Sequence, residues 1–118
     1  KDVNPAMGAF VEKITTFYFD FHWEYERVIG CVINDPLAVA GMLDPTILSG
    51  FESYTTVVTD GVARGQSIVD AHDFWHNTPN SQIMTKVDVV AFWRLFLTTV
   101  VGAADPDLTQ VLHQLVSA

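Results

Sequence analysis

The segment Ile-Asn-Asp-Pro-Leu-Ala-Val-Ala, residues 33–40, carries the side chain best suited to chemistry, the carboxylate of Asp35. An aspartate that precedes a proline at the start of a helix most often caps that helix, because its carboxylate accepts free backbone N–H groups of the first turn. A carboxylate is also an oxygen ligand for hard divalent cations. Capping is the more common role, and composition by itself does not choose between the two.

The usual signatures of other catalytic sites are absent from the sequence. It has no Gly-x-Ser-x-Gly, no phosphate-binding glycine loop, no His-Glu-x-x-His and no EF-hand calcium loop. Cys31 is the single cysteine, which excludes an internal disulfide and a cysteine-based zinc site. Because Cys31 lies in an apolar run, we expect it to be a small buried hydrophobe, and a reducing, cytoplasmic location fits best.

Charge and hydropathy argue against two classes of partner. The chain of 118 residues has a formal net charge of −8 and only six Lys and Arg, which disfavours any affinity based on neutralising phosphates. No apolar run approaches the roughly 18 to 20 residues that cross a bilayer. We therefore expect neither nucleic-acid binding nor membrane insertion.

Four helices are predicted, near residues 5–25, 36–43, 89–102 and 106–116, and the second follows Asp35 directly. In the first, apolar residues recur three and four positions apart, with Asn4 as the N-cap and Pro5 at the first helical position. These apolar residues are Met7, Phe10, Val11, Ile14, Phe17, Tyr18 and Phe21. Asp35 is predicted to cap the second helix, and Asp44-Pro45 to end it.

A short antiparallel ribbon is predicted between about residues 52 and 87. Its strands cover Phe51 to Thr59, about Gln66 to Val69, and Gln82 to Val87, and Asp60-Gly61 is a turn signal between the first two. The fold class is therefore α+β, without a complete βαβ unit. Its aromatic-rich helices need a broad surface to pack on, which suggests that the chain is part of a larger fold.

Three stretches resemble the C-terminal part of the inosine-uridine-preferring nucleoside hydrolases. Residues 34–40 are similar to the family's His-Asp-Pro-x-Ala-x-Ala segment, except that Asn34 replaces the histidine. Residues 57–70 resemble its Thr-x-Gly and Arg-Gly-x-Thr-Val-Val-Asp hairpin. Pro79-Asn80, Ile83, Val87-Asp88, Phe92 and Phe96 resemble its closing strand and helix. The expected fold is accordingly an α+β fragment of the α/β nucleoside hydrolase fold.

The resemblance implies hydrolysis of the N-glycosidic bond of ribonucleosides to ribose and free nucleobase, with Asp35 as one ligand of an active-site Ca²⁺. The family's N-terminal Asp-x-Asp-x-x-x-Asp-Asp cluster, which supplies most calcium ligands and the carboxylate that activates water, is absent here. Since calcium takes about six to eight oxygen ligands, we expect this chain to be inactive alone. The implied partners are the missing N-terminal part of the same protein, a ribonucleoside and, by analogy, a second copy in a homo-oligomer.

The resemblance also implies roles for side chains near the leaving base. Asn34 stands where the family often has a general-acid histidine, and its amide donates and accepts hydrogen bonds but has no proton that titrates near neutral pH. Tyr18, His22 and Tyr25 would contribute to the nucleobase pocket. The alternative is that Tyr18 belongs to the core and that His22 and Trp23 cover a surface without a ligand.

A second hypothesis places the chain in another functional class, as a non-catalytic interaction or structural module that keeps only part of the fold. The coding sequence upstream of Lys1 would distinguish the two. An Asp-x-Asp-x-x-x-Asp-Asp start favours the enzyme, and a start codon near Lys1 favours the module.

Overall fold

The computed structural model describes residues 2–116. Contacts divide the chain into a helical unit, Lys1–Ile47 with Asp88–Ala118, and a strand unit, Leu48–Val87. The α+β class predicted from the sequence is confirmed.

Helix α1 spans Pro5–Phe21 and continues into a π-helical turn, His22–Glu26. As predicted, Asn4 is the N-cap, and its side-chain oxygen accepts the Met7 N–H at 3.1 Å. The π-helical turn ends at Arg27, which adopts a left-handed conformation with φ of 59°. The predicted helix near residues 5–25 is thus confirmed, with a wider last turn.

Helix α2 spans Asn34–Leu43, and its first residue differs from the prediction. Asp35 was expected to cap a helix starting at residue 36, but the backbone is already helical at Asn34 and the cap position belongs to Ile33. Isoleucine has no polar side-chain atom, so no side-chain cap bond forms. The Asp35 carboxylate therefore lies in the first turn, inside the helix rather than before it.

The end of α2 follows the sequence prediction. The helix stops at Leu43, and the Asp44 carboxylate accepts the Thr46 hydroxyl at 2.6 Å and the Thr46 N–H at 3.0 Å. These two hydrogen bonds, the hydroxyl first, lower the pKa of Asp44 below its ordinary value. They begin a short 3₁₀ turn, Pro45–Ile47.

The predicted helix near residues 89–102 forms as α3, Val89–Phe96, followed by a second π-helical turn, Leu97–Val101. Asp88 caps α3 by accepting the Ala91 N–H at 2.9 Å. The last helix, α4, spans Asp105–Val116. Among the residues whose burial the structure describes, the buried apolar ones of the helical unit are Ala40, Ile47, Phe92, Leu108 and Leu112.

The strand unit consists of two two-stranded antiparallel sheets rather than one ribbon. Strand β1, Leu48–Ser53, pairs with β4, Ser81–Val87, while β2, Thr55–Val57, pairs with β3, Ser67–Val69. The predicted first strand is split at Tyr54. A bulge between Ser49 and Gly50 brings β1 so close to β4 that a Cβ at residue 50 would collide with the Ile83 carbonyl.

Much of the apolar surface of the helical unit is open. No residue of α1, all of which the structure describes, is buried. The exposed apolar stripe consists of Phe10, Ile14, Phe17 and Phe21. In the part of the chain described, no helix is both long and apolar enough to cross a membrane.

Candidate active site

A cavity of about 310 Å³ lies between α1 and the start of α2. Three of the five residues singled out from the sequence line it together: Tyr18, Asn34 and Asp35. Its other walls are Ile14, Thr15, Cys31, Val32, Ile33 and Pro36. The structure therefore brings the Asn-Asp pair and one aromatic side chain to the same opening.

The spacing of the α1 residues explains this arrangement. Residues 14, 15 and 18 are related by steps of three and four, so they share one helix face. Tyr18 lies at the end of that face nearest to the segment that enters α2, and its side chain is partly exposed. One wall is thus supplied by a helix face and the other by the irregular segment that leads into α2.

The Asp35 carboxylate is exposed in the first turn of α2. Among the residues that the structure describes, none donates a hydrogen bond to it. The positive end of the helix dipole favours an ionised carboxylate there. Asp35 also borders a second cavity of about 350 Å³, whose walls are otherwise almost entirely apolar side chains of α2, α3 and the second π-helical turn.

The described residues do not by themselves form a calcium site. No group of three or more His, Cys, Asp or Glu side chains comes together among them. Asp35 has two carboxylate oxygens, against about six to eight oxygen ligands that calcium takes. A metal ion at Asp35 would need most of its ligands from outside this chain.

His22 does not line the cavity, because its ring is turned into the protein and only 7% of the residue is exposed. The Nδ1 atom lies 2.8 Å from the Tyr18 carbonyl oxygen, and the Val32 N–H donates to Nε2 at 3.4 Å. The Glu26 carboxylate is 3.8 Å from Nε2. The ring also stacks on Tyr18, with centroids 6.3 Å apart.

Tyr25 is also absent from the cavity walls and is 69% exposed. Its ring packs on Phe21, with centroids 4.8 Å apart. The two residues lie four positions apart, on the surface where α1 passes into the π-helical turn. The structure thus separates Tyr25 from the trio at the cavity.

Two residues of the cavity walls, Thr15 and Cys31, were not predicted from the sequence to lie at the site. Thr15 was not singled out, although its three-residue spacing from Tyr18 was the signal that could have found it. Cys31 was expected to be buried, but it is only partly covered because it lies in the irregular segment before α2 rather than inside an element. Both residues line the same cavity as the Asn-Asp pair, and the Thr15 hydroxyl donates to the Val11 carbonyl oxygen at 2.8 Å.

The sequence of residues 1–94 matches the family described as inosine-uridine preferring nucleoside hydrolase. The chain belongs to that family. Its fold agrees with a solved family structure, the purine-preferring ribonucleoside hydrolase from Gardnerella vaginalis, at a TM-score of 0.69 and 31% identity. That likeness covers 86% of this chain and 32% of the Gardnerella chain.

Two curated relatives show the same partial overlap. The pyrimidine-specific ribonucleoside hydrolase RihA of Klebsiella pneumoniae is 27% identical over 78% of this chain, which corresponds to 30% of its own length. The inosine-uridine preferring nucleoside hydrolase of Crithidia fasciculata is 24% identical over 89% of this chain and 33% of its own length. The chain therefore spans about a third of the nucleoside hydrolases it matches.

Proposed function

We propose that this chain is the C-terminal part of a nucleoside hydrolase domain that cleaves the N-glycosidic bond of ribonucleosides to ribose and free nucleobase. The supporting observation is the cavity where Asn34 and Asp35 of the family-like segment meet Tyr18. Release of free nucleobases would serve nucleoside salvage, in the cytoplasm. The relatives' names span pyrimidine-specific and purine-preferring enzymes, so family membership leaves the preferred base open.

Within this proposal, the nucleobase binds against Tyr18 and Asn34. Tyr18 offers an aromatic face for stacking on a base, and the Asn34 amide hydrogen-bonds to the leaving base as negative charge develops on it. Tyr25, which packs on Phe21 outside the cavity, would contact the base only if the π-helical turn changed its position. His22 contributes through its stacking on Tyr18. Asp35 is one ligand of a Ca²⁺ ion that would hold ribose hydroxyls and the attacking water.

The remaining calcium ligands would come from the N-terminal, aspartate-rich part of the same domain. Two observations support the N-terminal part of the domain as the partner of this chain. The chain matches only about a third of each relative, and α1 leaves an apolar stripe open that a monomeric domain rarely exposes. A homo-oligomer would use apolar surface that this N-terminal part leaves uncovered.

The test compares the 118-residue chain with the complete polypeptide that its gene encodes, assayed for base release from inosine, uridine and adenosine with calcium or with a chelator. The chain alone should release no base, and calorimetric titration should show no micromolar calcium binding, because it holds one of the ligands. In the complete polypeptide, Asp35→Ala should nearly abolish turnover at any pH. Asp107→Ala, which also removes an exposed first-turn carboxylate, is the matched control and should retain activity.

Asn34 is tested in the same assay. Asn34→Ala should lower turnover by about ten- to a hundredfold, as expected for a lost hydrogen bond worth about 1 to 3 kcal/mol. Asn34→His should add an ionisation near pH 6 to 7 to the pH–rate profile, roughly the range in which a histidine titrates. Unchanged kcat and KM in Asn34→Ala on every nucleoside would remove the leaving-group role.

The alternative is a non-catalytic interaction module, which the open apolar stripe of α1 also favours. That alternative gains support if the complete polypeptide binds a partner protein but releases no base from any nucleoside. Micromolar calcium binding by the chain alone would instead contradict the proposal that this chain holds too few ligands for a calcium site.

A further inference from the structure

We propose that His22 is a positioning residue, whose ring ties the segment from Arg27 to Ile33 to the end of α1 and thereby sets where Asn34 and Asp35 stand. The inference rests on the proposed function, in which Asn34 and Asp35 face the substrate. It assigns to His22 a role through the backbone rather than through contact with the nucleobase.

The partners of the ring define its protonation. The Tyr18 carbonyl oxygen, 2.8 Å from Nδ1, can only accept a hydrogen bond, so Nδ1 carries a proton. The Val32 N–H, 3.4 Å from Nε2, can only donate, so Nε2 is unprotonated. Both backbone groups therefore favour the tautomer that carries its proton on Nδ1, and the Glu26 carboxylate, 3.8 Å from Nε2, lies beyond hydrogen-bond distance of that atom. Neither ring nitrogen is left to bind a substrate unless one of these bonds breaks.

The backbone of His22 holds the same turn from the other side. Its carbonyl oxygen accepts the N–H groups of Arg27 and, at 3.2 Å, of Val28. Arg27 reverses the chain with a left-handed φ of 59°. One residue thus bonds to the last turn of α1, to the start of the connecting segment and to its end at Val32, two residues before Asn34.

Burial distinguishes His22 from a histidine on an open surface. The side chain of His22 is 9% exposed, whereas that of His76, in the strand unit, is 84% exposed and has the nearby Asp73 as a hydrogen-bond partner. A buried imidazole that lost its partners would leave polar atoms unsatisfied, so the bond to Val32 resists displacement. The connecting segment has no regular structure of its own between Arg27 and Ile33, and the bond to Nε2 joins the far end of this segment to the end of α1.

Two substitutions separate the hydrogen bond from the ring volume. His22→Phe keeps a ring but removes both nitrogens, while His22→Gln keeps an acceptor near the Nε2 position. His76→Phe is the control, because it changes an exposed histidine far along the chain from α1.

The first measurement uses NMR on the 118-residue chain without substrate. The wild-type ring should show a protonated Nδ1 and an unprotonated Nε2. Hydrogen exchange of the Val32 amide should be faster by roughly five- to tenfold in His22→Phe, as expected for one lost hydrogen bond, and should return to within about twofold of wild type in His22→Gln. A proton on Nε2, or unchanged Val32 exchange in His22→Phe, would overturn the inference.

The second measurement is kcat/KM for base release by the complete polypeptide. It should fall about tenfold in His22→Phe, as expected for a displaced hydrogen-bonding group. It should recover in His22→Gln and stay at the wild-type value in His76→Phe.

Faster Val32 exchange with unchanged kcat/KM would also overturn the positioning role. If His22→Phe does not fold, the tautomer of the wild-type ring and the Val32 exchange rate in His22→Gln still test the inference. A wild-type polypeptide that released no base would contradict the proposed function, a result distinct from any change in Val32 exchange.

Discussion

Helices α1 and α3 show similar apolar periodicity in the sequence but have different surroundings in the structure. In α1 no residue is buried, and Phe17 is 72% exposed. In α3, Phe92 is 5% exposed, and its ring meets Trp93 at 5.2 Å and Phe96 at 6.0 Å between centroids. Apolar periodicity therefore predicts that a helix has a face to bury, but not whether the same chain supplies the cover.

The cover of α3 comes from residues distant in sequence. Ile47 of the 3₁₀ turn, and Leu108 and Leu112 of α4, are buried in the same helical unit. The open stripe of α1 has no such cover among the described residues. This difference agrees with a chain that spans about a third of its relatives, and it supports the proposal that the rest of the domain packs on α1.

The largest expected effect is the loss of stability when a buried side chain of α3 is removed. Phe92→Ala should lower the free energy of unfolding by about 3 to 5 kcal/mol, because it leaves a cavity in a small core. Phe17→Ala, the matched change on α1, should cost about 0.5 kcal/mol or less. Urea unfolding of the 118-residue chain followed by circular dichroism measures both. Equal costs for the two variants would show that α1 is covered within this chain.

An intermediate effect is expected on self-association. The α1 stripe should drive copies of the 118-residue chain together, since burying one phenylalanine side chain is worth about 1.5 to 3 kcal/mol. Phe17→Ser should therefore raise the dissociation constant about tenfold or more in sedimentation experiments. Phe74→Ser, which changes an exposed phenylalanine of the strand unit, is the control. A strictly monomeric wild-type chain would argue against an uncovered interface.

The smallest expected effect concerns the two helix caps. Asp88→Ala removes the cap of α3 and should lower the free energy of unfolding by about 1 kcal/mol, because α3 is part of the core. Asn4→Ala removes the equivalent cap of α1 and should mainly fray its first turn. Urea midpoints and helical circular dichroism compare the variants. A larger loss of global stability in Asn4→Ala would reverse the contrast between the helices.

Local signals predicted the elements well and their partners less well. Asn4 with Pro5, and Asp44 with Pro45, mark helix ends through hydrogen bonds within four residues, so their effect can be read from neighbours in sequence. The pairing of β1 with β4, and of β2 with β3, depends on residues about 30 and 12 positions apart. A single ribbon was therefore predicted where two sheets form. The predicted capping role of Asp35 was wrong for a local reason, since α2 already begins at Asn34.

The sequence by itself determined the helices, the family and the Asn34-Asp35 pair, because these follow from local backbone chemistry and from a contiguous motif. Only the tertiary structure decided that Tyr18 shares a cavity with this pair, that His22 turns inward to Val32, and that α3 is covered while α1 is open. The physical reason is that side-chain burial and cavity walls depend on packing between segments far apart in the chain.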